Sequence, residues 1–96
     1  MHPCQQQGSL CLPDAEKLLY KLSKHFALKV PVKFDLNHAS ISFHAGECEI
    51  QREGQRLEIT CRAESREQLE QVSQIISSHV ALMVRDPAVQ LTWVLN

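Results

Sequence analysis

Histidine is the residue type in this chain best suited to chemistry, because neutral imidazole binds metal ions and titrates near physiological pH. The five histidines stand at positions 2, 25, 38, 44 and 79. His25 falls at the edge of an apolar stripe with helical spacing, and His79 falls within a second, wider stripe. The two side chains are therefore candidates for a ligand pair or a proton-transfer pair between two helices.

The same two histidines have a simpler interpretation. A histidine at the boundary of an apolar helix face usually satisfies its polar atoms with local hydrogen bonds. Neither His25 nor His79 has a second ligand four residues further on, as the paired histidines of zinc-binding helices do. The pattern favours the boundary role, and it leaves a metal site with His25 and His79 as ligands as the alternative.

Cysteine could also supply nucleophilic or metal-binding chemistry. The 4 cysteines stand at positions 4, 11, 48 and 61, without a CxxC pair, which favours free thiols over disulfides. Cys48 and Cys61 fall on the apolar faces of a predicted hairpin, where a thiol usually packs as a small hydrophobic group. We therefore expect structural cysteines.

Sequence signatures of catalysis are missing from the chain. It has no GxSxG motif, no glycine-rich phosphate loop and no close pairing of carboxylates. Glu47, Glu49 and Glu58 fall at outward-facing strand positions, where charge mainly supplies solubility. The sequence predicts a protein that is not an enzyme, and it requires no cofactor.

Charge is distributed unevenly although the net charge is only -1. The five lysines, at positions 17, 21, 24, 29 and 33, all precede Asp35, whereas the five arginines and nine of the acids lie from Asp35 onward. Polyanion binding needs a surface stripe that is dense in basic residues, and this small charge imbalance does not supply one. We expect no nucleic-acid partner, and we expect Lys17, Lys21 and Lys24 to form a solvated helix face.

The apolar residues form no segment that would target or span a membrane. Residues 1–8 are polar and lack the cationic start and apolar run of a secretory signal. No stretch approaches the roughly 18 apolar residues that cross a bilayer. The sequence predicts a cytoplasmic protein without a membrane partner.

Two amphipathic helices must position the histidines. Pro13 favours a first helical turn, and apolar residues then recur at helical spacing: Ala15, Leu18, Leu19, Leu22 and Phe26. Ser65 and Gln68 form a capping-box pattern before a second stripe, which consists of Leu69, Val72, Ile76, Val80 and Met83. Asp86-Pro87 should end the second helix.

Strands fill the rest of the 96 residues. Short strands are predicted at 9–12, 30–36, 41–43 and 89–95, and residues 1–8 are expected to be mobile. The clearest hairpin has a turn at Glu53-Gly54, which would place Ile50 opposite Leu57 and Cys48 opposite Ile59. The sequence predicts one α+β domain over residues 1–96, ordered β-α-β-β-β-β-α-β. It is a two-layer sandwich with a mostly antiparallel sheet and both helices on one face.

The second helix has more apolar surface than one sheet needs. Ile75 and Leu82 widen its apolar arc beyond the central stripe. This width predicts packing against another subunit, and hence a homodimer. A protein partner or a small ligand engaged by a helix edge or by the outer sheet surface is the broader expectation.

Residues 24–35, KHFALKVPVKFD, resemble the bacterial family catalogued as domain of unknown function (DUF) 2218. Less specific matches extend the likeness over about residues 9–95: Gly46-Glu47-Cys48, the SxxQL helix start, His79 before an apolar stretch that ends at Arg85, and Leu91-Thr92-Trp93. The resemblance therefore covers nearly the whole chain.

This resemblance implies a setting rather than an activity. Similar domains accompany siderophore-interacting flavoproteins, so the family implies an iron-related context. We expect the chain itself to be a non-catalytic binding or accessory module. The resemblance also marks a ligand or partner surface formed by Lys24, His25, Lys29, His79 and Trp93. The family often has a second histidine where this chain has Leu28, and that departure removes one potential metal ligand. Metal, haem or ferric-chelate binding through His25 and His79 is the alternative function.

Overall fold

Six strands and two helices form the part of the molecule that the structure describes. The computed structural model describes residues 4–85, 89 and 91–95. The elements are β1 (Cys4–Cys11), α1 (Ala15–Ala27), β2 (Val32–Phe34), β3 (His38–Ser42), β4 (Gly46–Glu53), β5 (Arg56–Ala63), α2 (Arg66–Val84) and β6 (Thr92–Leu95). The strand order in the sheet is β2-β3-β4-β5-β1-β6, and neighbouring strands are antiparallel. The predicted α+β class and element order are confirmed.

A single core joins the two layers. Both helices contact each other and the central strands β4 and β5. The predicted stripes of both helices are buried, except that Met83 is only partly buried. They pack on the inward residues of the sheet, among them Ile41, Ile50, Leu57 and Ile59, each fully buried. The apolar residues that alternate along the strands and those that recur at helical spacing along α1 and α2 therefore face one interior.

Local hydrogen bonds explain where the helices begin and end. Ser65 Oγ accepts a hydrogen bond from the Gln68 N–H (3.2 Å), which is the predicted cap of α2. The Gln68 side chain contacts the Ser65 hydroxyl (3.3 Å), so the reciprocal half of the capping box differs from the sequence pattern. α2 ends at Val84 because Arg85 takes a left-handed conformation (φ 56°). The predicted stop at Asp86-Pro87 lies outside the described residues.

The first strand is longer than the sequence predicts. Mobility is expected over residues 1–8, but Cys4–Gly8 pairs with β5, and Gln6–Gly8 also pairs with β6. The inward positions of this segment include Gln6 and Gly8, so no apolar alternation reveals the strand. Gly8 is inward and buried because the Trp93 ring covers it, and a Cβ there would lie 2.7 Å from Trp93 Cε3. Only residues 4–8 of the expected mobile segment are described, and they are paired.

The β4–β5 hairpin has a different register from the predicted one. The loop is Gly54-Gln55 rather than Glu53-Gly54, with Gly54 at φ 60°. The pairing therefore shifts by two residues, so that Cys48 lies opposite Cys61 and Ile50 opposite Ile59. A two-residue shift keeps every side chain on its predicted face, which is why the core prediction holds although the pairs are wrong.

The strand predicted over 30–36 is shortened to three residues. Val32 and Phe34 lie opposite the buried Ile41 and Ala39, so the predicted inward parity holds. Phe34 nevertheless keeps 38% of its surface exposed and Leu36 keeps 65%, because the chain leaves the sheet at Asp35. An Asx turn made by Asp35, whose Oδ1 accepts hydrogen bonds from the N–H groups of Asn37 and His38, redirects it into β3.

The C-terminal half of α2 bears on the predicted dimer. Ile75 packs against the chain's own core, so only Leu82, with 66% of its surface exposed, remains as excess apolar surface. Homodimerisation through this helix stays a prediction. Within the part of the chain that the structure describes, no helix combines the length and apolar character that a membrane crossing requires.

Candidate functional site

His25 and His79 meet at the seam between the two helices. His25 lies in the last turn of α1, and His79 lies in the C-terminal half of α2. Their ring centroids are 4.7 Å apart, with the ring planes inclined by 49°. Both side chains are partly exposed. Two of the predicted site residues, 54 positions apart in the chain, therefore form one imidazole pair that solvent can reach.

A hydrogen bond to the backbone orients the His79 ring. Nδ1 lies 2.7 Å from the Ile75 carbonyl oxygen, and a carbonyl can only accept, so Nδ1 carries the hydrogen. In the neutral ring the lone pair is then on Nε2. Metal-binding histidines commonly use one ring nitrogen in this way to fix the other as a ligand. The backbone of α2 thus prepares His79 Nε2 to accept a hydrogen bond or to bind a metal ion.

The Phe26 ring forms the floor beneath the imidazole pair, and the Phe43 ring packs against Phe26. The Phe26 ring centroid lies 4.8 Å from that of His79 and 5.2 Å from that of Phe43. Phe26 is buried, whereas Phe43 is partly buried at the end of the β3–β4 turn. We call His25, His79, Phe26 and Phe43 the histidine cluster. Its rings are held from below by the core and open above to solvent.

Lys24 and Lys29 bring positive charge close to the cluster. Lys24 precedes His25 in the last turn of α1, and the Lys29 N–H donates a hydrogen bond to the Phe26 carbonyl oxygen (3.0 Å). Both lysines are exposed, and neither has an ion pair with any residue that the structure describes. The surroundings of the imidazole pair therefore favour an anionic ligand.

Trp93 lies apart from these four residues. Its Nε1 donates a hydrogen bond to Ser77 Oγ (2.8 Å), and its ring covers Gly8 on the neighbouring strand β1. Ser77 and His79 are two residues apart, which separates them by about 200° around a helix. The structure brings His25 and His79 into contact, leaves Lys24 and Lys29 exposed near His25 in the chain, and gives Trp93 a packing role elsewhere.

The cluster supplies too few ligands to enclose a metal ion. Over residues 4–85, 89 and 91–95, no group of three or more histidine, cysteine or acidic side chains is placed to hold one. Leu28, next to the cluster in the chain, offers no ligand and keeps 82% of its surface exposed. Two imidazoles could hold a metal only if its remaining ligands came from water or from a bound chelator.

The sequence pattern does not reveal a thiol pair that the structure contains. Cys48 and Cys61 lie directly opposite each other on β4 and β5, and both are fully buried. A hydrogen bond between the two thiols, together with burial, raises the pKa of Cys48 well above its usual range. The correct turn position, Gly54-Gln55, is the signal that could have paired them. A raised thiol pKa disfavours the reactive thiolate, so this pair is structural in the folded chain.

Thiol labelling should separate these cysteines. At neutral pH we expect an aromatic disulfide reagent to modify the exposed Cys11 rapidly, and to modify Cys48 and Cys61 only as the chain unfolds.

Because the pKa of Cys48 is raised in the folded state, the unfolded chain loses this proton first as pH rises. The contribution of Cys48 to the free energy of unfolding should therefore be constant below the ordinary thiol pKa of about 8.5 and fall above it.

Two variants test the labelling and pH predictions. The Cys48→Ala variant should flatten the alkaline fall in urea-denaturation profiles, and Cys11→Ser should leave it unchanged. Rapid modification of Cys48 in the folded protein, measured by mass spectrometry of peptides, would contradict the buried pair.

Fold and site together define a class of protein: a small two-layer α+β domain that carries a solvent-facing histidine pair between its helices. The chain belongs to the family described as "Uncharacterized protein conserved in bacteria (DUF2218)", which matches residues 7–94. The predicted family resemblance is confirmed. No curated protein matches the chain in sequence.

A solved structure has the same fold. The NMR structure of PA4090 from Pseudomonas aeruginosa superposes with a TM-score of 0.80 and covers 98% of this chain and 96% of that chain. The two sequences are 16% identical, so the likeness shows the fold alone.

Proposed function

We propose that the protein is a non-catalytic, cytoplasmic binding module whose ligand site is the histidine cluster, with Lys24 and Lys29 beside it. The observation that carries this proposal is the contact between His25 and His79, at 4.7 Å between ring centroids, on a floor formed by the Phe26 ring. An apolar floor with a few convergent polar groups is the usual composition of a small-molecule site.

The charges favour a small anion as the ligand. Lys24 and Lys29 have no ion pair among the described residues, and the His79 ring can add a second donor on Nε2 when it is protonated. A polycarboxylate that bridges the lysines and the imidazole edges would satisfy these groups together. The site is open to solvent, so we expect modest affinity.

A second candidate is a metal ion, haem or ferric chelate bound by His25 and His79. The orientation of His79 supports it, because the Nδ1–H bond to Ile75 leaves Nε2 available as a ligand. The iron-related setting implied by the family resemblance points the same way. Since the chain offers two imidazoles, the chelate itself would supply the remaining ligands.

One titration tests both candidates. Citrate, inorganic phosphate, Zn²⁺, Cu²⁺, ferric citrate and haemin are added separately while the histidine ring resonances are followed by NMR. We expect saturable shifts of His25 and His79 with citrate, and with the metals if the second candidate holds. Metal content and the absorption spectrum of the protein purified from cells provide an independent check.

Matched variants assign the site. His25→Ala/His79→Ala should weaken binding by on the order of 100-fold. The control, His38→Ala/His44→Ala, removes two histidines outside the cluster and should bind normally. Lys24→Gln/Lys29→Gln should weaken citrate binding but spare metal binding. If no probe moves the His25 and His79 resonances, or if the control variant loses binding equally, the proposed site is wrong.

A further inference from the structure

Strand β2 leaves one edge of the sheet open, on the other side of α1 from α2. Among the described residues, the strand pairs with β3 alone. Hydrogen bonds join Ser42 N–H to the Pro31 carbonyl (3.1 Å) and Asp35 N–H to the His38 carbonyl (2.8 Å). Because bonded and non-bonded pairs alternate in an antiparallel ladder, the backbone N–H and C=O groups of Val32 and Phe34 point to the open edge. This edge can accept another strand.

The side chains of β2 give this edge a pattern. Val32 and Phe34 lie on the helix side, opposite the buried Ile41 and Ala39. Lys33 pairs with Ser40 and projects from the opposite face, where it is exposed. The edge therefore presents an apolar residue, a cation and an apolar residue in succession.

Exposed apolar surface continues from this edge onto α1. Tyr20 keeps 54% of its surface exposed and contacts Phe34 with ring centroids 6.0 Å apart. Tyr20 and Leu36 also line a shallow cleft of about 390 Å³ next to Pro13 and Lys17. The chain's own core does not use this surface, and contiguous exposed apolar residues commonly mark a site of interaction.

Lys33 supplies the charge of β2 itself, and it has no ion pair with any residue in the described ranges. Lys17 lines the adjacent cleft together with Asp14 and Glu16. Asp35, which directly follows β2, already accepts hydrogen bonds from Asn37 and His38. A partner that covers the edge should therefore bring negative charge to Lys33.

We propose that the β2 edge binds an extended, acidic segment of a partner protein, which adds to the sheet as a further strand. An acidic residue of that segment lies opposite Lys33, and its two neighbours are apolar and extend the surface of Tyr20 and Phe34. Backbone hydrogen bonds to Val32 and Phe34 supply affinity, and the alternating side chains supply specificity.

A second copy of the chain fits this edge less well. The antiparallel register that pairs Val32 of one copy with Phe34 of the other places the two Lys33 side chains opposite each other, which is unfavourable. Shifting the register to pair Phe34 with itself would need Leu36 as a strand residue. Leu36 lies outside β2, and its carbonyl accepts a hydrogen bond from Arg52 Nε (3.0 Å).

A short peptide pair tests the proposal. The probe is a capped seven-residue peptide, Ser-Thr-Val-Glu-Val-Thr-Ser, and its control carries lysine in place of the glutamate. Because β2 is only three residues long, we expect a Kd on the order of 0.1–1 mM for the glutamate peptide. The amide resonances of Val32 and Phe34 should shift, with at least about a tenfold preference over the lysine peptide.

A charge reversal makes the test specific. Lys33→Glu should reverse the preference, so that the lysine peptide binds and the glutamate peptide does not, a result that misfolding cannot produce. Arg66→Glu, a charge reversal at an exposed position of α2 outside the edge and outside the histidine cluster, should keep the original preference. Equal binding of both peptides, an unchanged preference in Lys33→Glu, or no shift at Val32 and Phe34 would overturn the proposal. Concentration-dependent shifts at β2 without peptide would assign the edge to a second copy and would also overturn it.

Discussion

Replacing Gly46 with alanine is expected to destabilise the fold by about 3 kcal/mol or more, because the added methyl group has no room. A Cβ at Gly46 would lie 2.2 Å from the Arg62 carbonyl oxygen and 3.1 Å from Ala63 Cβ. The oxygen belongs to the backbone of β5, so relief requires β4 and β5 to separate at their end. Glycine is thus needed at position 46 because β4 and β5 approach closely there, and not because the backbone takes a conformation that other residues avoid.

Gly54 supplies the matched control for this prediction. Its φ of 60° strains any other residue, but a Cβ at this position would meet no other atom within 4 Å. Gly54→Ala should therefore cost only about 1 kcal/mol. Urea denaturation of both variants measures the difference, and equal losses would mean that the close approach of Gly46 to β5 is not present in solution.

The same close approach at Gly46 links the sheet to the candidate site. The Phe43 N–H donates a hydrogen bond to the Gly46 carbonyl (2.7 Å), which closes the β3–β4 turn. That turn places the Phe43 ring against Phe26 at the floor of the histidine cluster. The Gly46→Ala substitution should therefore also change the NMR chemical shifts of the His79 ring. This change should be present in the protein molecules that remain folded.

Helical periodicity makes the helices the most predictable part of the fold. All five apolar residues assigned to the stripe of α1 are buried, since a helix can cover a sheet only with residues three and four apart. The β4–β5 faces are also predictable from alternation. Their register cannot be predicted from alternation, because a two-residue loop at Glu53-Gly54 and one at Gly54-Gln55 both contain the glycine. Only the second loop matches the pairing in the structure.

The first strand shows a different limit of sequence patterns. Its inward positions Gln6 and Gly8 are not apolar, because Trp93 supplies the apolar cover that a side chain on Gly8 would otherwise give. A pattern along one segment cannot reveal cover provided by a residue 85 positions away. For the same reason, the packing role of Trp93 cannot be predicted from the sequence.

The candidate site is partly predictable. His25 and His79 each stand at the side of an apolar stripe, so both have to lie near the helix–helix seam if the helices pack side by side. Their separation cannot be predicted, because it depends on the axial offset of α1 and α2. Phe26 sets part of that offset, and its contact with both Phe43 and His79 comes only from tertiary packing.

Phe26 should be the most sensitive core residue for the site. It is the buried member of the histidine cluster and part of the core, so Phe26→Ala is expected to cost about 3–5 kcal/mol through lost contacts and a cavity. The control is Phe34→Ala, which removes the same ring from a position with 38% exposure and should cost about 1 kcal/mol or less. Urea denaturation distinguishes them, and similar losses would contradict the placement of Phe26.

A conservative variant separates stability from site geometry. Phe26→Leu retains apolar volume, and we expect it to cost less than Phe26→Ala while still removing the aromatic ring that lies 4.8 Å from His79. The His79 ring protons should lose their ring-current shift, and citrate or metal binding should weaken although the protein remains folded. Unchanged binding in folded Phe26→Leu would show that the imidazoles hold their ligand without an aromatic floor. Weakened binding would establish that the core of the domain sets the geometry of its binding site.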